Sequence, residues 1–210
     1  MAVLRLRAPD KTLSNSTDLA VVSLSACELI RISGFPSGEP FFGSSGGNRF
    51  DAPGCLLKSP EYGTCYLGLS FDVALAESLL HDAAPVKGKF RIARAEFDRR
   101  WVHRFLPKLE LFDLTGHLLK AMGGHAGLSG TGNYKVTQKW GKAVFDNPMK
   151  VDGFIYISRH LPNGKAVVLF DRARGKLRLS GPSTPLNEAP ELLKAVDSFR
   201  IHVPLPRPSP

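Results

Sequence analysis

No segment of this chain approaches the ~18 consecutive apolar residues of a membrane-spanning helix, so a membrane protein of that kind is not expected. Cysteine is scarce: Cys27, Cys55 and Cys65 make an odd number with no CxxC spacing, which indicates neither a disulfide framework nor a zinc ribbon. The six histidines are scattered, without an HExxH pair, and no metal site is expected. Two nucleotide and hydrolase signatures are also missing. The glycine-rich stretch at 43–48 lacks the GxxxxGK[ST] pattern of a phosphate-binding loop, and YISRH at 156–160 is not a GxSxG elbow, which disfavours a serine hydrolase. The opening segment MAVLRLRAPDKTLSNS has no apolar h-region, and residues 19–26 are too short and too far in to serve as one, so a cytoplasmic location is expected.

The residues that are present describe an ordinary globular chain. At 210 residues, with 43% hydrophobic and 22% charged side chains, it is long enough for one well-cored domain. Sixteen prolines and twenty glycines predict many loops and little long helix. A net charge of +9 and a pI near 9.7 favour an anionic partner: nucleic acid, a phosphate-bearing small molecule or an acidic protein. The charge is spread out, with no dense basic run and little aromatic interleaving of the kind single-strand binders use. Charge alone does not choose among these partners.

Hydrophobic patterning predicts a mixed α+β domain whose core is dominated by strands. Strands are expected at 29–32 and 62–69, a helix at 70–82 with Ser70 as N-cap, and a half-exposed strand at 89–97. Helices are expected at 113–122, 137–145 and 188–196, with a flexible glycine-rich stretch at 123–133. The apolar runs at 153–158 and 166–170, joined by a turn at Pro162-Asn163-Gly164, read as a hairpin. Cys65, inside a strand, reads as a small buried hydrophobe.

The most informative stretch is YGTCYLGLSFDVALAESLLHD at 62–82. At about 100° per residue, Leu75, Leu79, Ala76, Leu80 and Val73 form one apolar arc, and Glu77 sits at its edge beside Val73. A carboxylate there is either half-buried with a partner or aimed into a pocket. Upstream, Arg31 and Arg49 also stand in apolar or glycine-rich segments, so an anionic ligand could be the partner.

Taken in order, Arg31, the GGNRF at 46–50, Tyr66, Glu77 and Ser158 are a set rather than isolated letters. With the phrases NRFDAPG, TCYLGLSFDVALAE, YKVTQKW and DGFIYISRHLP, the sequence from about residue 29 to 173 resembles the RES domain, named for its Arg, Glu and Ser. The resemblance implies an ADP-ribosyltransferase-like fold, a mixed β core flanked by short helices. It divides the chain into a lead-in at 1–28, the domain at 29–173 and a C-terminal extension with a proline-rich tail at 174–210.

The resemblance also implies a bacterial toxin that consumes NAD as its substrate, without a metal, by cleaving the nicotinamide–ribose bond as a glycohydrolase or phosphorylase. An Xre-type antitoxin would hold it in check, and nucleic acid would enter only through that antitoxin. Glu77, Arg31 and Ser158 would be the catalytic residues, and Arg31, Arg49, Tyr66 and Asn48 would bind NAD. Arg159 is a further candidate, and Asn48 stands where family members often have glycine. The chemistry of the side chains agrees. A guanidinium, Arg31 or Arg49, can grip a diphosphate, and Gly46 and Gly47 let the backbone come close. Tyr66 can stack on nicotinamide, and Glu77 can stabilise an oxocarbenium-like ribose. Ser158 can hold a ribose hydroxyl or the Glu77 carboxylate. Two alternatives stay open: a protein ADP-ribosyltransferase on the same fold, and a non-enzymatic nucleic-acid binder that would lose affinity steeply with salt.

Overall fold

The segment Lys165–Phe170 is apolar at five successive positions, and all five side chains are buried. Such a run needs cover on both faces, which puts it in the middle of a sheet. The structure, a computed structural model, describes residues 5–54 and 59–204. Cys55 and the end of the proline-rich tail, 205–210, lie outside the described residues.

Among the described residues the strands are β1 Val22–Leu24, β2 Leu29–Ser33, β3 Thr64–Gly68, β4 Phe90–Arg91, β5 Trp101–Pro107, β6 Leu109–Asp113, β7 Gly153–Ile157, β8 Lys165–Phe170, β9 Leu177–Leu179, β10 Thr184–Pro185 and β11 Ile201–His202. One mixed sheet runs in the order β1-β6-β7-β8-β3-β2-β5-β10, with β9 also pairing β5; β4 and β11 form a small parallel ribbon. The hairpin expected at 153–170 is β7–β8, with Phe154 opposite Val168. Pairing is antiparallel throughout the main sheet except between β6 and β7, which run parallel. This is the α+β, ADP-ribosyltransferase-like architecture expected from the sequence.

The helices are short. They are α1 Thr12–Asn15, α2 Phe71–Ala76, α3 Arg94–Asp98, α4 His117–Ala121, α5 Gly127–Gly130, α6 Tyr134–Asp146 and α7 Leu192–Ser198. None among the described residues is long and apolar enough to cross a membrane.

Strand alternation sorts the core. Cys65 and Leu67 of β3 join Leu29, Phe105, Val167 and Leu169 on one face of the sheet, while Tyr66 packs towards Phe50, Phe154, Val168 and Trp140 on the other. Burial pushes the Cys65 thiol up to about 12, so it behaves as a small hydrophobe. The longest helix, α6, lays Thr137, Trp140, Gly141 and Val144 against the second face. A side chain at Gly141 would meet the Phe50 carbonyl at 2.7 Å, so glycine lets the helix touch the loop that carries Arg49. Leu13 of the lead-in is fully buried in the same cluster, and Trp140 Nε1 donates to the Arg7 carbonyl at 2.9 Å.

Four elements differ from the patterning; one is the helix expected at 113–122, whose first residue instead ends β6 and which forms only over His117–Ala121. The helix expected at 70–82 ends at Ala76, with Glu77 at its C-cap. Beyond it Leu79 and Leu80 both donate to the Leu75 carbonyl, a widened last turn that sends both leucines into the apolar cluster under α2. The strand expected at 89–97 is only two residues long and is followed by α3. Glu96 pairs there with Arg99 and Arg100, each at 2.6 Å, and that three- and four-residue spacing belongs to a helix. The glycine-rich stretch at 123–133, expected to be flexible, holds one helical turn whose Leu128 enters the core.

Helix α2 starts where expected. Ser70 accepts from the Val73 N–H at 3.3 Å, and Gly68 allows the chain to fold back over β3, since a Cβ there would meet Ala74 N at 2.6 Å. Ser70→Ala is expected to cost about 1 kcal/mol of stability, read as a shift of the denaturation midpoint. An unchanged midpoint would show that the cap contributes nothing.

Candidate active site

Glu77 leaves the end of α2 half-buried, and two groups from the turn that joins β7 to β8 hold it. Ser158 Oγ donates to Glu77 Oε1 at 2.5 Å, and the Arg159 backbone N–H donates to the same oxygen at 3.2 Å. Ser158 is buried and accepts from the backbone N–H groups of His160 and Leu161, a tight turn that fixes the hydroxyl. The sequence left Ser158 a choice between a ribose hydroxyl and the Glu77 carboxylate; in the structure it holds the carboxylate.

In front of Glu77 lies a cleft of about 670 Å³. Arg31, Asn48, Arg49, Tyr66 and Glu77 all line it, so five of the six expected residues share one wall system, with Ser158 behind Glu77. That volume lies within the usual range for a small-molecule site.

Each lining residue is fixed by its own partners. Arg31 donates from Nε to Glu39 Oε2 at 2.7 Å and from one terminal nitrogen to the Tyr66 carbonyl at 3.1 Å. Burial alone would raise the Glu39 pKa, but Arg31 and the Phe41 N–H hold it below its ordinary value. Arg49 is 8% exposed and donates to the carbonyls of Thr131, at 2.6 Å, and Leu128, at 3.5 Å. Its guanidinium lies 4.9 Å from the centre of the Tyr134 ring. The glycine-rich stretch thus supplies the carbonyls that aim Arg49.

The loop around Asn48 is tied to a buried carboxyl group. Asp51 accepts from the Asn48 backbone and side-chain nitrogens, both at 3.1 Å, from Ser45 Oγ at 3.3 Å and from Thr64 Oγ1 at 2.5 Å. Tyr66 OH accepts from the Phe50 N–H at 3.0 Å and lies 3.5 Å from Asp51. Burial, with Asp51 adding to it, pushes the Tyr66 phenol well above its ordinary pKa; burial and Glu77 do the same for Tyr156. Both phenols therefore stay protonated.

His81 and His160, both lining the cleft, lie with ring centres 4.6 Å apart and planes tilted by 43°. Burial lowers the His160 pKa; Glu77 works against that shift, and His81, Arg159 and Arg49 add to it. Among the described residues no three His, Cys, Asp or Glu side chains come together in a way that could hold a metal. Sequence reasoning missed Glu39, Asp51, Tyr134, Tyr156 and the histidine pair. Asp51 stood inside the quoted phrase NRFDAPG and could have been singled out; the others come from segments whose approach depends on the fold.

A carboxylate at the end of a short helix, sharing one cleft with arginines beside a mixed sheet, defines a small-molecule site in an ADP-ribosyltransferase-like scaffold. The family model of the RES domain matches residues 28–187, and the chain belongs to this family. Among solved structures it is similar to a chain in the crystal structure of the M. tuberculosis MbcT–MbcA toxin–antitoxin complex, at 17% identity and a TM-score of 0.59, over 85% of this chain and 91% of that one. No curated protein matches the chain.

Proposed function

We propose that this protein consumes NAD by cleaving its nicotinamide–ribose bond, and that it acts as the toxin of a toxin–antitoxin pair. The observation that carries the reading is Glu77, fixed by Ser158 Oγ at 2.5 Å at the edge of an arginine-lined cleft in a RES-domain chain. The likeness to a chain of a toxin–antitoxin complex and the charge of +9 favour a protein partner, with an Xre-type antitoxin as the candidate.

The chemistry follows from the charges. Heterolysis of the C1′–N bond sends its electron pair to the ring nitrogen, and nicotinamide leaves neutral. Positive charge then develops on C1′ and the ring oxygen of the ribose. Glu77, held at a fixed angle, stabilises that charge as it forms. Water or phosphate makes the new C1′–O bond and releases its proton to solvent, giving ADP-ribose or its 1″-phosphate. No second carboxylate is needed, since a pyridinium leaves without protonation. Ser158 positions Glu77, Arg49 faces the anionic part of the substrate, and Tyr66 lines the wall where a flat ring can pack.

The test follows NAD and free nicotinamide over time with purified protein, with and without phosphate. Nicotinamide release is expected, and the second product identifies the acceptor. Absence of release in either buffer, from folded protein freed of any partner, would overturn the reading. Transfer of label from NAD to protein would instead favour the ADP-ribosyltransferase.

A further inference from the structure

The three arginines that line the cleft are not electrostatically equivalent. Arg31 is compensated before any ligand arrives, because Glu39, with only 2% of its side chain exposed, pairs with it at 2.7 Å. Among the described residues, the groups that hold Arg49 are neutral: two backbone carbonyls and the face of Tyr134. The Arg159 guanidinium is exposed at the cleft and, among the described residues, has neither an ion pair nor a side-chain hydrogen bond. Burial lowers the Arg49 pKa; Tyr134 opposes that shift, and repulsion from Arg159 adds to it. Glu77 also faces this pair, and it already accepts from Ser158 and the Arg159 backbone. Two cations therefore share one carboxylate on this side of the cleft.

Placement separates Arg159 from Arg31. Arg159 follows the end of β7 and Arg31 sits on β2, three strand steps away, about 14 Å at the usual strand spacing. Arg159 is also next in sequence to the serine that fixes Glu77, so its charge lies beside the carboxylate. In NAD the 5′-phosphate is bonded to the very ribose whose C1′ must meet that carboxylate.

Resting on the NAD reading, we infer that Arg49 and Arg159 together form the diphosphate subsite, and that Arg31 is not part of it. The class of ligand recognised is a nucleoside diphosphate ester. Its two negative charges match the two guanidinium groups, each capable of a bidentate, charge-assisted contact.

The experiment compares wild type, Arg159→Ala and Arg159→Lys on NAD, on nicotinamide riboside, which has the scissile bond but no phosphate, and in calorimetric binding of ADP-ribose. For Arg159→Ala, ADP-ribose affinity and kcat/KM on NAD are expected to fall about tenfold, mostly through KM, with a much smaller fall on the riboside. Arg159→Lys should recover part of the loss. Equal losses on NAD and riboside would overturn the inference, because the residue would then be acting through Glu77. Unchanged ADP-ribose affinity would overturn it as well. If wild type cleaves neither substrate, the NAD-cleavage reading fails, and ADP-ribose binding still decides the subsite by itself.

Discussion

Replacing Glu77 by glutamine is expected to abolish nicotinamide release, lowering kcat about 10³-fold, or roughly 4 kcal/mol of transition-state stabilisation. The substitution is chosen for what it leaves in place. Glu77 Oε1 accepts from Ser158 Oγ at 2.5 Å and from the Arg159 N–H at 3.2 Å, and a glutamine carbonyl oxygen can accept both. The side chain keeps its length, its C-cap position and its two donors. Only the negative charge is lost, and a developing oxocarbenium ion depends on that charge.

The defect should therefore lie in kcat, with NAD affinity within about threefold of wild type. Thermal denaturation should confirm that the variant is folded. Residual activity above about a tenth of wild type would mean that Glu77 is not the group that meets the ribose. Ser158→Ala should be milder, since the Arg159 N–H still holds the carboxylate.

The strands that make the centre of the sheet were legible because their chemistry is uniform. Tyr66, Val167 and Phe170 stand in runs with no helical period, and the PNG turn fixed the β7–β8 hairpin. The short helices were less legible. Glu77 was read in the middle of a helix, but Leu79 and Leu80 gain more from entering the core than from continuing the turn, so the helix stops at the residue before it. At 94–98 the alternation of apolar and charged residues suits a strand, and the ion pairs of Glu96 with Arg99 and Arg100 favour a helix.

The set of cleft residues was legible as an ordered phrase, but their partnerships were not. Nothing in the sequence couples Arg31 to Glu39 eight residues later, because the pairing depends on how the loop after β2 returns over β3. Nor does it couple Arg49 to the carbonyls of residues 128 and 131, which α5 carries across the cleft. Local periodicity reports faces. It does not report which loop a buried arginine will meet.

The second large effect is expected at Asp51, which touches no ligand in this reading but fixes the loop that presents Asn48 and Arg49. Its carboxyl group is 1% exposed, and its two oxygens face different kinds of donor. Oδ2 takes the Asn48 backbone N–H and side-chain amide and the Ser45 hydroxyl, and Oδ1 takes the hydroxyls of Thr64 and Tyr66. A backbone N–H cannot become an acceptor, whereas a hydroxyl can turn and do so. Asp51→Asn can thus point its carbonyl oxygen at the Asn48 side and its NH2 at the hydroxyls, costing about 1 kcal/mol. Asp51→Ala leaves the buried Thr64 Oγ1 and the part-buried Asn48 N–H without their partner and should cost about 2 kcal/mol. Released from Asp51, the 44–50 loop no longer holds Arg49 against Thr131, so affinity for ADP-ribose should fall more than tenfold in the alanine variant only. Urea denaturation and calorimetry on the two variants check this together. Equal stabilities for Asp51→Asn and Asp51→Ala would show that the loop is held elsewhere, with the two Gln138 contacts, to the Gly46 and Asn48 carbonyls at 2.9 and 3.1 Å, as the remaining anchor.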